Sequence, residues 1–337
     1  MCGIFGFAKL GNFDERNLSI REQRIMISLL AMLNESRGKD STGLAVIGKG
    51  EPFIIKKTEG ARDFLSIPIV HSKLGLAIEQ DTRLVLGHTR QATTGEVSRL
   101  NAQPFVYKSV IGTHNGMVGN YKNLFESNKL KPLTTCDSEI IFALLSQADT
   151  LKDQVEKLSQ CSGWLACAFY DTRRPNNLGF VFARNDCEVM IDRKIGLIVW
   201  ASESDVIDDI KGIFSLDLTP LVPARRMIDD YLVDIDLVTG NFDQLEINIA
   251  SGYYMTRHPS IELNRPRLLT SDNSRIVQLD TCAMCRKKTY CKFVDFYEGF
   301  LCKKCRKIAK KLQKGNGAYG NASWEDYCQR YGFEDGV

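Results

Sequence analysis

No apolar run in the sequence approaches the roughly 20 residues that a membrane-crossing helix needs, so a span of that kind is not expected. The start of the chain lacks the basic stretch followed by an apolar one that marks a secretory leader. Eleven cysteines, an odd number scattered over 337 residues, do not form a disulfide framework. They point instead to reduced thiols and a metal in a reducing compartment, and the expected location is the cytoplasm. There is no internal repeat and no low-complexity tract. What is present is ordinary for a globular chain, with 44% hydrophobic and 25% charged residues, and a length that allows more than one domain.

The net charge of +3 hides an asymmetry. Between Cys282 and Lys314 eleven Lys or Arg face only Asp295 and Glu298, a local +9 that leaves −6 for the rest. A mildly acidic body therefore carries a strongly basic C-terminal piece.

Along the body, apolar spacing predicts a helix over Leu18 to Ser36. Strands are expected over Gly43–Ile47, Phe53–Lys56, Arg83–His88, Ser109–His114, Trp164–Tyr170, Leu178–Ala183, Glu188–Ile191 and Leu197–Trp200. A helix is expected to open at Asp137, with that residue as its N-cap, and another over Glu203–Ile210. Strands and helices come in runs and not in alternation, which favours an α+β fold. The expected domains are residues 2–250, a linker or lid over 251–281, and a basic module over 282–337.

The chemistry concentrates at the first residues, Met-Cys-Gly-Ile-Phe-Gly-Phe. Once Met1 is removed, Cys2 bears a thiol and a free α-amine, and an amine that titrates near neutrality can take the thiol proton directly or through water. With Met1 in place that nitrogen is an amide and the thiol has no such base. Four further stretches join it: Arg37–Gly43, Gly87–Gly95 leading to Asn101-Ala102-Gln103-Pro104, His114–Asn120, and Asp137-Ser138-Glu139. Singly each has a plain explanation: Asn115-Gly116 as a turn, Asp137 as a helix cap, Arg90 as a surface charge, His88 and His114 as structural histidines. Together they meet the needs of a thiol attacking a carboxamide. The Asn115 amide and the Gly116 N–H can hold an oxyanion. Arg90 can bind a carboxylate in a fork, and Asp137 can pair with an α-ammonium. Glutamine has all three groups, and the glycine-rich loop after Arg90 can close over it.

Through Met-Cys-Gly-Ile-Phe-Gly, Arg-Gly-Lys-Asp-Ser-Thr-Gly, Gly-His-Thr-Arg-x-Ala-Thr-x-Gly, Asn-Ala-x-Pro, His-Asn-Gly and Asp-Ser-Glu, in that order, the sequence resembles the class II glutamine amidotransferases. These are N-terminal-nucleophile amidohydrolases, and the resemblance covers roughly residues 1–250. It implies a four-layer αββα sandwich and hydrolysis of glutamine to glutamate and ammonia. It places the nucleophile on Cys2, the oxyanion pair on Asn115 and Gly116, and substrate binding on Arg90, Thr93, His114 and Asp137. Gln91, Thr94 and Gln103 depart from the usual pattern and are read as positions on the mobile loop.

Cys282-x2-Cys285 and Cys302-x2-Cys305, sixteen residues apart, fit a closed structural zinc site, with Cys291 or Cys328 as substitute ligands. Lysines alternating with Tyr290, Phe293, Phe296, Tyr297 and Phe300 suit either nucleic acid or a small metal-organised core. The leading expectation is a glutaminase that feeds ammonia to a synthetase or ligase on another chain, with the zinc module as docking device. The alternative is a catalytically idle scaffold whose zinc module binds nucleic acid or a partner protein.

Overall fold

A computed structural model of the protein describes residues 2–11, 18–185, 187–221 and 230–250, together with the backbone of 277–281, 288–294 and 299–302. The chain divides into a first unit ending at Arg257 and a second from His258 to Val337.

The first unit holds two antiparallel sheets. In spatial order the seven-stranded sheet runs β11 (Thr219–Pro220), β9 (Glu188–Asp192), β10 (Leu197–Ala201), β1 (Gly3–Lys9), β4 (Leu84–Arg90), β2 (Ser41–Ile47) and β3 (Phe53–Lys57). The six-stranded sheet runs β13 (Phe242–Glu246), β12 (Tyr231–Asp236), β8 (Asn177–Ala183), β7 (Gly163–Asp171), β6 (Val110–Val118) and β5 (Phe105–Tyr107). Between the sheets lies a core that includes Ala8, Leu86, Ile111, Phe180, Phe182, Trp200 and Val233. Helix α1 (Ile20–Asn34), α2 (Ala61–Ser66) and α7 (Ser204–Phe214) pack on the first sheet. On the second, α5 (Glu139–Leu145) packs directly, joined by α4 (Tyr121–Ser127) and α6 (Leu151–Leu158) around a second apolar cluster. Helix, sheet, sheet and helix form the four layers of an αββα sandwich. The remaining helix, α3 (Pro68–Ala77), follows α2.

The sequence explains these placements. Strands β1, β2 and β4 are buried along their whole length, because a sheet covered on both faces selects continuous apolar runs and not alternation. All seven residues of α5 are buried, as expected of a helix apolar on every side. Its one charged member, Glu139, accepts from the Leu133 and Thr134 amides at 2.8 Å. Helix α1 starts at a capping box, Ser19 with Glu22, one residue later than the apolar spacing suggests.

β1 sits at the centre of its sheet, between β10 and β4. Cross-strand pairs lock it there. Gly6 stands opposite Trp200 and Gly87 opposite Phe5, each glycine lying under the aromatic ring of its partner. A Cβ on Gly87 would meet the Phe5 ring at 2.1 Å, so no larger residue fits without moving β1.

In the second unit, β14 (Val277–Thr281), β15 (Lys288–Val294) and β16 (Gly299–Cys302) form an antiparallel meander. β14 falls inside the span read from sequence as linker. β14 and β16 both run toward the end of the sheet where β15 starts, with Thr281 opposite Lys288 and Cys302 opposite Cys291.

Gly87→Ala is expected to lower the unfolding free energy by about 2 kcal/mol, the usual cost of an overpacked core site. Urea denaturation followed by tryptophan fluorescence checks it, and an unchanged midpoint would contradict the ring-over-glycine contact.

Candidate active site

Cys2 lies directly before β1, beside the end of β4 that carries Arg90, because Gly3 pairs with Thr89. Several contacts hold this start of the chain. The Arg37 Nε–H donates to the Cys2 carbonyl at 3.0 Å, and Arg37 also pairs with Glu203. Ser202 brackets Ile4, accepting from its N–H through Oγ at 2.9 Å and donating its own N–H to the Ile4 carbonyl at 3.0 Å. Gly38 lets the segment after Arg37 approach the Arg90–Gln91 peptide so closely that a Cβ would sit 2.2 Å from the Arg90 carbonyl carbon. Asp40 then accepts from the Ala92 N–H at 2.7 Å and from the Gln91 side chain at 3.1 Å, tying down the loop that follows β4.

The Cys2 thiol donates to the Gln91 carbonyl at 3.5 Å. Burial pushes its pKa up, Asp137 adds in the same direction, and Arg90 opposes them. Cys2, Arg90 and Asp137 therefore lie within electrostatic reach of one another. Arg90 is buried and spends two of its five N–H groups on the loop, donating to the Glu96 carbonyl at 3.0 Å and the Thr94 carbonyl at 2.6 Å. Asp137 accepts from the Val118 N–H at 2.8 Å. It also lines a cavity of about 180 Å³ with Thr94, Met117, Val118, Gly119 and Tyr121.

Asn115 and Gly116 belong to the interior of β6, not to a turn. Gly116 takes φ +151°, and a Cβ there would stand 2.0 Å from the Trp164 carbonyl oxygen and 2.5 Å from His114 Nε2. Only glycine occupies such a position. The Asn115 carbonyl accepts from the Asn185 amide at 2.7 Å, but its side-chain Nδ2 is buried with no hydrogen-bond partner. An unfilled buried donor costs about 1–3 kcal/mol, so the site carries a group that awaits an acceptor.

His114 sits one residue before this pair and is fully engaged. Its Nδ1 accepts from the Ser138 hydroxyl at 2.8 Å and its Nε2–H faces the Trp164 carbonyl at 3.5 Å. Gln103 grips its backbone on both sides, accepting from His114 N–H at 2.7 Å and donating to its carbonyl at 3.1 Å. The same carbonyl accepts from His88 Nε2 across the sandwich at 3.2 Å. Burial lowers the His88 pKa to about 3 and that of His114 to about 4.

The structure thus gathers Cys2, Arg90 and Asp137, and it exposes the Asn115 donor of the neighbouring β6 to no other partner. Thr93 is exposed on the loop. The His114 ring has no nitrogen left for a substrate and acts on the β7 backbone at Trp164 and on Ser138. Three readings change. The Asn115-Gly116 dipeptide is strand, because its neighbours pair with β7 through Val118. Asp137 does not cap α5, whose N-cap is Ser138, since its carboxylate is turned to Val118. Gln103 is buried and clamped to β6, not mobile. Arg37, Asp40, Ser202 and Gln103 hold the site although sequence reasoning assigned them no role. Their signal was the density of polar residues in motifs whose apolar neighbours are buried.

Cys282, Cys285 and Cys305 lie outside the described residues, and Cys302 ends β16, where only the backbone is described. Among the described residues no group of three or more His, Cys, Asp or Glu could hold a metal, and no helix is long and apolar enough to cross a membrane.

A thiol at the head of the central strand of an αββα sandwich defines the N-terminal-nucleophile amidohydrolase fold. Residues 36–186 match the model of the class-II glutamine amidotransferases. The chain is 36% identical over 188 residues to a glutamine–fructose-6-phosphate aminotransferase of Chlamydia pneumoniae, covering 53% of this chain and 28% of the relative. It is 24% identical over 240 residues to a 7-cyano-7-deazaguanine synthase of Sulfolobus acidocaldarius, covering 69% and 49%. A glutamine phosphoribosylpyrophosphate amidotransferase structure from B. subtilis shares the fold, with a TM-score of 0.52 at 17% identity, over 73% of this chain and 49% of that one. The chain therefore spans about half or less of the length of these relatives.

The two buried histidines set a pH dependence. Unfolded, each takes a proton near pH 6.5; folded, they stay neutral to about 3 and about 4. Their contribution is present above pH 6.5 and is lost as pH falls toward 4, at about 1.4 kcal/mol per pH unit for each histidine. Urea midpoints measured from pH 7 to 4 are expected to fall accordingly, and His114→Gln to show about half that slope.

Proposed function

We propose that the first unit hydrolyses glutamine to glutamate and ammonia, with Cys2 as nucleophile after removal of Met1. The freed α-amine takes the thiol proton, and Sγ bonds to the side-chain amide carbon. The resulting oxyanion accepts from Asn115 Nδ2–H and the Gly116 N–H. Its collapse expels ammonia, which carries away the proton from the amine, and leaves a thioester. Water, deprotonated by the same amine, then releases glutamate and restores the thiol. Arg90, with three N–H groups not used by the loop, would bind the substrate carboxylate, and Asp137 its ammonium. The observation that carries this reading is the Asn115 Nδ2, buried and without an acceptor beside the left-handed Gly116. The raised Cys2 pKa agrees with it, since such a thiol stays protonated at neutral pH until a base is supplied.

The ammonia acceptor is proposed to be an enzyme on a separate polypeptide, a synthetase or ligase. The matched region is only part of each relative, 28% and 49% of their lengths, so the rest of those enzymes has no counterpart in the matched residues. The five cysteines of the described residues of the first unit are free thiols, in keeping with a reducing, cytoplasmic setting.

In the second unit we propose a structural zinc held by Cys282, Cys285, Cys302 and Cys305. Cys282 follows the last residue of β14 and Cys302 is the last of β16, strands that finish at the same end of the sheet. Four thiolates suit zinc, and the closed set leaves no position for catalysis.

Mass spectrometry is expected to find Met1 absent from the active protein, and a glutamate-release assay to find turnover. Cys2→Ala should abolish that turnover, and Asn115→Ala should lower kcat by about 10²–10³ with little change in KM. Equal turnover by Cys2→Ala would reject the mechanism. Atomic-emission analysis should detect zinc in the full chain at about one equivalent, and Cys285→Ser should lose it. A zinc-free native protein would reject the metal site.

A further inference from the structure

A second cavity, of about 160 Å³, lies at β3, the edge strand of the seven-stranded sheet. Phe53, Ile54, Ile55 and Ile69 give it an apolar wall, and four basic residues also line it: Lys56, Lys57, Lys73 and Arg99. Among the described residues none of the four forms an ion pair. The Glu139 carboxylate attracts the Lys56 ammonium without pairing with it, and accepts instead from the amides of Leu133 and Thr134 and the Thr134 hydroxyl. Lys56 is half-buried; its ammonium donates to the Ala102 carbonyl at 2.6 Å and lies 5.5 Å from the centre of the Phe105 ring. Burial, reinforced by the neighbouring Arg99, lowers its pKa to about 8.

Like charges that share a cavity without an ion-paired partner repel one another, and a concave wall of low dielectric strengthens that repulsion. A structure that keeps them together stores an electrostatic cost that a bound anion would relieve. A volume of about 160 Å³ suits a small ligand, and the apolar wall suits one with a non-polar part. We propose that this cavity binds a small phosphorylated molecule.

The site is also joined to the loop that follows β4. Arg99 belongs to that loop, and Lys56 holds it at Ala102, while Arg90 holds it at Thr94 and Glu96. An anion drawn between Lys57, Lys73 and Arg99 braces the loop from outside. This assignment stands on charge and shape alone and is independent of the chemistry of Cys2.

The test uses the full chain and inorganic pyrophosphate as probe. Calorimetry at low salt is expected to show saturable binding. In Lys57→Glu/Lys73→Glu affinity should drop by about tenfold or more, and in the exposed single variant Lys73→Glu by a smaller factor. Trypsin supplies a second readout without any enzyme assay. Pyrophosphate should slow cleavage after Arg99 in the native chain and leave it unchanged in the double variant, which also controls for any effect on the protease. Three results would overturn the proposal: no saturable binding at low salt, equal binding by the double variant, or binding of a polyglutamate peptide where pyrophosphate fails to bind. The last would assign the patch to an acidic protein partner.

Discussion

One peptide group keys the two sheets together. The carbonyl of His114, on β6 of the second sheet, accepts from the ring of His88, on β4 of the first. Gln103 grips the same residue through its N–H and its carbonyl. The surfaces on either side are apolar, and an apolar interface resists separation but resists sliding poorly, because its attraction is non-directional. A directional bond inside it fixes the offset. That offset matters because Cys2 leads into the first sheet and Asn115 belongs to the second. A shift of one sheet over the other would move the thiol relative to the Asn115 amide. The two histidines accept depressed pKa values, and His88 Nδ1 goes without a partner, as the cost of this link.

Around that key, unpaired polar atoms collect on the strands that approach the site: Ser41 on β2, His88 on β4, Thr113 and Asn115 on β6. Stability alone would remove them. Asn115 Nδ2 has a chemical use in the proposed reaction, since an acceptor exists there only when a carbonyl oxygen has taken on charge. A donor left idle in the resting protein is then worth most in the transition state, which is the difference that accelerates a reaction. The others have no such use here, and the structure gives no account of them beyond their place in crowded strands.

The general architecture was legible because its strongest signals are local. Continuous apolar runs in β1 and β4 mark strands covered on both faces, and the runs of strands and helices gave the mixed class correctly. What failed was local logic applied to residues governed by tertiary contacts. Asn-Gly favours a turn, yet here the Gly116 backbone is bent within β6 against the Trp164 carbonyl. An aspartate before a helix favours a cap, yet Asp137 is drawn to the end of β6. Gln103 looked like a loop residue because its partner is eleven positions away on another strand. The helices α2, α3, α4 and α6 went unread: α2 and α4, at six and seven residues, are too short to show a periodic pattern, α3 has mixed faces, and the apolar stripe of α6 at Leu151, Val155 and Leu158 was missed. Of the candidate metal ligands, three fall outside the described residues.

In the proposed reaction the guanidinium of Arg90 would tie recognition to enclosure. It is buried, it lies within electrostatic reach of the thiol, and two of its N–H groups already hold the loop by Thr94 and Glu96. A carboxylate arriving at the remaining N–H groups would therefore bind to the same rigid plane that holds the loop. Fixing that plane fixes the loop, and fixing the loop narrows the path for water. Asp40 and Gly38 anchor the start of the loop against the backbone at Arg90 and Ala92, so the freedom that remains belongs to the exposed stretch between Thr93 and Leu100. The opposing influences on Cys2 fit the same scheme. Arg90 alone does not offset the burial that raises the thiol pKa, and a substrate carboxylate would neutralise part of its help. In the proposed reaction the thiol then needs a base that the substrate does not cover, and the amine of Cys2, once Met1 is removed, would meet that condition.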